Sequence, residues 1–546
     1  NQLQILKSIA FKVIDFISQF EDELVKIWNK PKFVKNSNYV ITLDRISDEK
    51  LVEKIKKHKN FLEQVKEWEE LGIDKDNPKV PIDTKYFKDL EPEILSQFED
   101  LDKSLDGWLI KSENYQALNT TLPKFKEKVQ TIYIDPPFNL DSSDQFLYRT
   151  NYKDANWATL LENRLKLAKD WLNKKGSIFV KCDYNGNMFA RLLLNDIFRG
   201  DNFRNEIVVS RISKQDSRVR KLNNAVDYIF FYSKSESFEF NILLKKLKKP
   251  KEERWHSLDA QGQGESQEIF GFLFAPPKGR HWMYGSENMK EAEKNQKIRI
   301  VCRVCKYIHI LGKWEGCPNC KNLKNVRIEY KLSPSTDKPV DTNWTDISGY
   351  TSSWDFATEN SERSLFRCIM ITSNVKDIIF DFFLGSGTTT AVAHKLGRKW
   401  LGVEMGEHFY SVVLPRMKKV LAYDKSGISK EVKEYQGGGF FKYYELEQYE
   451  EALANCKYED GDLFNAPGRS PYREYVFMKD EKMLKALEID YEKEKAKVDL
   501  TKLYPNIDIA ETLSNLTGKW IKAIKDDEVE FTDGSKINTK ELDYKL

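Results

Sequence analysis

The chain has 546 residues, enough for roughly two to four domains around sizeable cores. Charged residues make up 32% and hydrophobic ones 40%; no apolar run reaches the length of a membrane span and the start carries no signal-peptide pattern, so a cytoplasmic protein is expected. A formal net charge of +3 leaves the surface near neutral, so any nucleic-acid footprint must be local, and a first residue Asn1 instead of Met points to a native start further upstream.

Leu3, Leu6, Ala10, Val13, Ile17, Phe20, Leu24 and Ile27 recur three and four apart, the a/d stripe of a helix about three heptads long. Such a stripe packs either on the body of its own protein or against a partner, a second copy of the chain included. Lys50 to Leu71 reads as a second, charged helical stretch, and Asp74 to Pro92, with Pro78, Pro81 and Pro92, as loop. Residues 1–99 are therefore expected to form a helical N-terminal extension, and 100–203 the first half of an α/β domain.

In that half, Thr131-Ile132-Tyr133-Ile134 is a β-branched, apolar run that ends abruptly in Asp135-Pro136-Pro137-Phe138-Asn139. It reads as a buried strand opening into a rigid loop. The residue types suit chemistry on the exocyclic amine of a base. The lone pair of such an amine is delocalised into the ring, so the nitrogen is a poor nucleophile. The Asp135 carboxylate and the Pro136 backbone carbonyl can accept its two hydrogens and draw it toward a reactive, tetrahedral geometry. Two prolines fix φ and remove backbone donors, and Phe138 offers a face on which an extruded base can stack. A plain Pro-Pro turn after a core strand is the alternative. Trp157 to Asn173 then reads as a helix, and Gly176 to Val180 as the next core strand, running to Asp183.

Residues 204–340 break the α/β rhythm. Arg211 to Lys221 carries five basic residues and one acid, Leu244 to Arg254 is similarly basic, and Lys278 to Lys331 holds 13 Lys and Arg against 5 Asp and Glu. A charge run is usually a solvated face. Here the runs lie together between two motif loops, which favours a nucleic-acid surface. The same segment contains Cys302-x2-Cys305-x11-Cys317-x2-Cys320, two close pairs spaced to set four thiolates tetrahedrally around one structural zinc ion. Four sulfurs leave no open position for catalysis, and a cytoplasmic setting disfavours disulfides. Cys182, Cys368 and Cys456 read as packing residues.

Residues 341–423 form the second α/β half. Ile378-Ile379-Phe380-Asp381 is a strand, Phe382-Phe383-Leu384-Gly385-Ser386-Gly387-Thr388-Thr389 a glycine turn, and Thr390 to Leu396 a helix. Gly385 and Gly387 permit a tight turn and close approach of backbone N–H groups to a ligand. The following strand, Lys399 to Val403, ends in Glu404, placed as an acidic strand tip that binds ribose hydroxyls in a βαβ unit. From about residue 424 a Lys/Glu-rich tail follows, with helical stretches expected at Asp480 to Lys497 and around Asp508 to Leu516.

The two loops together resemble the amino-methylating S-adenosylmethionine-dependent DNA methyltransferases. Their order, Asp-Pro-Pro-Phe before Phe-x-Gly-x-Gly, is that of the family's β group, and the nearest likeness is to modification (Mod) subunits of type III restriction systems. It covers roughly residues 100 to 445. Lys111-Ser112-Glu113-Asn114 resembles a cofactor motif in which Asp is usual at the Glu113 position. Phe356-Ala357-Thr358-Glu359-Asn360-Ser361-Glu362 resembles the helix-opening motif beside the methionine end of the cofactor, with Asn360 where Lys is common. Asn343 to Ile347, Gly437 to Phe440 and the Asp508 to Leu516 segment are similar to type III subunits as well. The resemblance implies a doubly wound, Rossmann-like methyltransferase sheet, an inserted zinc-bearing target recognition domain at 204–340, and helical extensions at 1–99 and 424–546. It also implies catalysis by Asp135, Pro136, Pro137 and Phe138, and cofactor contacts at Glu113, Thr358, Asp381, Phe383, Gly385, Gly387, Thr388 and Glu404. Duplex DNA, with adenine N6 favoured over cytosine N4 by the Asp of Asp-Pro-Pro-Phe, is the implied substrate. A second copy and a restriction/helicase subunit are the implied protein partners. An RNA methyltransferase and a non-catalytic DNA-binding specificity subunit are the rival readings; the intact Asp135 and both glycines weigh against the second.

Overall fold

The computed structural model describes residues 2–139, 153–211, 222–354, 356, 358–458, 478–480, 482, 487–490, 495–498, 502–525, 528–539 and 543–545. Most of the basic run from Arg211 to Lys221, and Ala357, lie outside these residues.

One mixed sheet of 11 strands organises the larger of two compact units, residues 1–241 with 341–546. In chain order the strands are β1 (Val34–Thr42), β2 (Pro81–Asp83), β3 (Gly107–Lys111), β4 (Val129–Ile134), β5 (Leu172–Cys182), β6 (Phe203–Ser210), β7 (Val226–Ser233), β8 (Asn343–Ser348), β9 (Ile378–Asp381), β10 (Lys399–Glu404) and β11 (Phe440–Leu446). Across the sheet they lie in the order β8-β6-β7-β5-β4-β9-β10-β3-β11-β1-β2. From β5 across to β11 every neighbouring pair is parallel. Such strands are covered on both faces, so they read as unbroken apolar runs; all of Val129–Ile134 is buried.

From β4 the chain crosses through a helix at Asp154–Trp171 to β5, on one side. From β9 it crosses through a helix at Thr388–Lys395 to β10, on the other side. Because β4 and β9 are neighbours, the loops at their carboxyl ends diverge and a crevice opens between them, the switch point at which open α/β sheets hold ligands. Both motif loops therefore start at one place.

Several expected boundaries move. The N-terminal extension is helical only at first: after Gln2–Asn29 the chain supplies β1 and β2 to the sheet, and the supposed loop after Asp74 contains β2. The stripe on Gln2–Asn29 divides as well. Ile27 is buried beside Ala452, with Phe20 and Leu24 packed around them, whereas Leu3, Leu6 and Ile17 are exposed. The C-terminal region supplies β11, an interior strand parallel to β3 and antiparallel to β1, so it too is more than a helical extension. Instead of a helix over Asp480 to Lys497 there are strands at Leu487–Asp490 and Lys495–Val498. Their residues alternate apolar and charged, and antiparallel pairing sets Glu488 opposite Lys497 and Asp490 opposite Lys495.

Buried charge ties the C-terminal region to the sheet. Lys442 on β11 contacts Asp508 at 2.8 Å and Glu511 at 3.0 Å; Lys124 contacts Glu511 at 2.8 Å and Asp102 at 3.0 Å. Asp508 also caps the helix Ile509–Thr517 by accepting the Glu511 N–H.

The second unit is Ile242–Val340. It begins well after residue 204, because β6 and β7 form an antiparallel hairpin that belongs to the large sheet. Within it, Ile308–His309, Ile298–Cys302, Val326–Leu332 and Arg254–Ser257 make an antiparallel sheet. Trp282, Met289, Ile298, Ile300, Trp314 and Ile328 build its own core. The basic run Leu244–Lys251 is a mostly exposed strand paired with Ser335–Pro339.

Candidate active site

The crevice between β4 and β9 contains a cavity of about 470 Å³. Asp135, Pro136, Pro137 and Phe138 line it, and so do Phe383, Gly385, Thr388, Glu404, Glu113 and Thr358, among others. Ten of the twelve expected catalytic and cofactor residues thus share one wall system. Asp381 and Gly387 do not line it; they shape the glycine loop from behind. Asp381 accepts from the Phe383 N–H at 2.9 Å and the Thr389 hydroxyl at 2.5 Å, and burial pushes its carboxyl up to about 7. Gly387, at φ 79°, turns the chain into the helix Thr388–Lys395, a conformation costly for residues with a Cβ.

Glu404 extends from the tip of β10 and holds the glycine loop. One carboxylate oxygen accepts the Gly385 N–H at 2.9 Å; the other accepts the N–H groups of Met405 and Gly406, each at 2.9 Å. Glu113 caps the helix Asn114–Phe125 by accepting from Gln116, and pairs with Arg164. Arg164 donates to Asn114 at 2.6 Å, and Asn114 donates to the Phe382 carbonyl at 3.0 Å. This chain of contacts pins the Ser-Glu-Asn segment to the start of the glycine loop.

The Asp-Pro-Pro-Phe loop is held from below. Trp157 donates its indole N–H to the Pro137 carbonyl at 2.7 Å, and Phe138 is buried with the Arg211 guanidinium 5.5 Å from its ring centre. Asp135 is asymmetric. Its Oδ2 accepts from Asn360 at 2.9 Å and lies 3.3 Å from Lys181 Nζ, while its buried Oδ1 has no donor among the described residues. Burial raises the Asp135 carboxyl above its ordinary value, and the Lys181 ammonium opposes that rise.

Lys181, Arg164 and Tyr350 escaped the sequence reading. Lys181 had a signal: a lone cation in the apolar strand Ile178-Phe179-Val180-Lys181-Cys182 is out of pattern unless a partner meets it. Arg164 sits on an ordinary amphipathic helix and Tyr350 in a loop, where nothing local marks them.

In the smaller unit the four expected cysteines converge. The sulfurs of Cys302, Cys305, Cys317 and Cys320 all lie within 4.8 Å of one another. Backbone N–H groups, that of Cys305 foremost, hold the Cys302 thiol down to about 6. The donor set and its closeness fit a tetrahedral thiolate site. Cys182 and Cys368 are buried, as expected of packing residues. No helix among the described residues is long and apolar enough to cross a membrane.

The chain is similar to several known proteins. The probable type III restriction-modification enzyme HindVI Mod subunit of Haemophilus influenzae is 29% identical over 417 residues, covering 63% of this chain and 54% of that protein. The chain thus spans about half of that relative's length. The type II methyltransferase M.EcaI of Enterobacter cloacae is 26% identical over 360 residues, 59% of this chain and 71% of the relative. Among solved structures, an M1.HpyAVI–SAM complex covers 57% of this chain and 98% of its own, at 14% identity and a TM-score of 0.30. A family model, N6_N4_Mtase, described as DNA methylase, matches residues 129–414. That match spans more than half of the chain and takes in both motif loops, so the chain belongs to this DNA methylase family.

Proposed function

We propose that this protein transfers a methyl group from S-adenosylmethionine to the N6 amine of adenine in duplex DNA, as the modification subunit of a restriction-modification system. The observation that carries the reading is the orphaned, buried Oδ1 of Asp135 at the wall of the cavity shared with the glycine loop. An unsatisfied buried acceptor is costly unless a ligand donates to it. An exocyclic amine is such a donor.

The cavity residues fit the cofactor. In this reading Glu404 and Glu113 take its nucleoside end, and Gly385, Thr358 and Thr388, which line the same cavity, its methionine end. Bound there, S-adenosylmethionine supplies an electrophilic methyl carbon. The protein's part is alignment: Asp135 and the Pro136 carbonyl accept from the amine, and Phe138 stacks against a base drawn out of the duplex. The exposed basic strand Leu244–Lys251 and its surroundings would bind the DNA backbone, with one zinc ion on the four cysteines fixing that unit's shape. A restriction subunit and a second copy of the chain are the protein partners this reading takes; the exposed Leu3, Leu6 and Ile17 offer them apolar surface. Modification-sensitive long-read sequencing of DNA from cells expressing the protein tests the proposal. N6-methyladenine at one sequence context, absent with Asp135→Ala, is expected. Methylation at cytosine N4 would replace the base assignment, and no methylated base in DNA would refute the reading.

A further inference from the structure

Lys181 is 1% exposed, on a strand buried among apolar residues. A lysine so placed loses most of its hydration and persists only where specific partners replace water. Its ammonium donates to Asn360 Oδ1 at 2.7 Å, lies 3.3 Å from Asp135 Oδ2, and sits 3.6 Å from the ring centre of Tyr350. Asn360 closes the triangle by donating its amide N–H to the same Oδ2 at 2.9 Å. Both donors act on one oxygen of Asp135.

We infer that Lys181, with Asn360, is a positioning residue that holds Asp135 by Oδ2, keeping the carboxylate ionised and turning Oδ1 toward the substrate amine. The inference rests on the methyl-transfer reading above. A carboxyl group turns about a broad, nearly two-fold torsion. Two donors on a single oxygen remove that freedom, and the free oxygen is then always the same one.

Charge matters as much as direction, because a protonated carboxyl is a poorer acceptor. The surroundings push Asp135 toward that state: burial foremost, then Asp227 from β7, and Asp381 at the end of β9 interacts with it unfavourably as well. Tyr133 on its own strand, Tyr350 and Cys182 are neutral neighbours whose ionisation its charge disfavours. Arg211 is paired with Asp183 and Asp227, at 3.4 Å each. Among the described residues, Lys181 is the cation that reaches Asp135.

The test is the pH profile of kcat on duplex DNA, with calorimetric S-adenosylmethionine binding as the check on folding. Lys181→Met should move the acidic limb upward by about 1–3 pH units, the effect of losing an opposite charge at this range, with cofactor affinity unchanged. Lys181→Arg should return the limb toward its wild-type position. Asn360→Asp, which sets a second carboxylate against Oδ2, should raise the limb too and serves if Lys181→Met does not fold. A profile that stays in place, or falls by one factor at every pH, would overturn the inference while leaving methyl transfer standing. Absence of methyl transfer by the wild-type protein would overturn both.

Discussion

Replacing Glu404 by Gln separates two jobs that one carboxylate performs. In the ligand-free protein it accepts three backbone N–H bonds at 2.9 Å, from Gly385, Met405 and Gly406. Gln keeps one acceptor oxygen and turns the other position into a donor, so either the Gly385 N–H or the Met405 and Gly406 pair loses its partner. A hydrogen bond to a charged group contributes about 1.5–3 kcal/mol, and the Glu404 side chain is only 12% exposed, so a loss near that range is expected in the stability of the ligand-free protein. A second loss arises on binding, because a ribose hydroxyl would meet a neutral amide in place of a carboxylate. Another 1.5–3 kcal/mol corresponds to about a 10- to 150-fold rise in the dissociation constant of S-adenosylmethionine. Urea unfolding without ligand measures the first quantity and titration calorimetry the second. Unchanged stability with weakened binding would leave Glu404 as a ligand contact alone. Full retention of both would refute the reasoning.

Two further outcomes follow from the geometry. Replacing Cys317 and Cys320 by Ser should release one zinc per chain and impair DNA binding by the 242–340 unit, while S-adenosylmethionine still binds; zinc-free wild-type protein in elemental analysis would overturn the site. Lys442→Met removes a buried counter-ion and should cost about 3–5 kcal/mol in chemical denaturation near neutral pH, because Asp508 loses its lysine and Glu511 keeps only Lys124. Burial alone would raise Asp508, but Lys442 holds it down to about 2, so in the wild type this group adds stability above its unfolded value near 3.9 that is lost as pH falls toward 2. In the variant the carboxyl rises and favours its protonated form, so the gap to wild type should narrow as pH falls from 7 toward 4. A gap independent of pH would refute the account.

How far the residues could be read depended on whether a signal was local. The parallel strands β4, β9 and β10 are largely apolar runs ending in their loops, and each was legible; of β5 only the Ile178-Phe179-Val180 core stood out, and the role of Lys181 beside it did not. Strand β1 was not, since Lys35-Asn36-Ser37-Asn38 interrupts its first half; there the strand is irregular and Asn36 takes φ 52°. Strand β11 carries Lys442, which looks like a surface residue until Asp508 and Glu511, some 70 positions later, meet it. The hairpin of β6 and β7 broke the helix–strand alternation and so read as part of the insertion, although its aromatic and β-branched residues suit a sheet. Asp135 could be named from its motif. Its oxygen-by-oxygen asymmetry could not, because Lys181 and Asn360 come from distant parts of the chain.

The pairing of β1 with β11 sets a schedule for synthesis. Phe33 and Glu447, hydrogen-bonded at one end of that pair, are 414 positions apart in the chain. A ribosome thus delivers Asp-Pro-Pro-Phe, and later the glycine loop, well before the strand that covers the edge of β3 exists. Until Leu446 has emerged, β1 is paired only with the short β2 and β3 has a neighbour only on the β10 side, leaving bare strand edges of the kind that invite aggregation. Closing so long a loop is also slow. Nascent chains arrested before residue 440 should therefore be held by chaperones, and fragments ending there should be recovered as aggregates instead of as active catalytic halves.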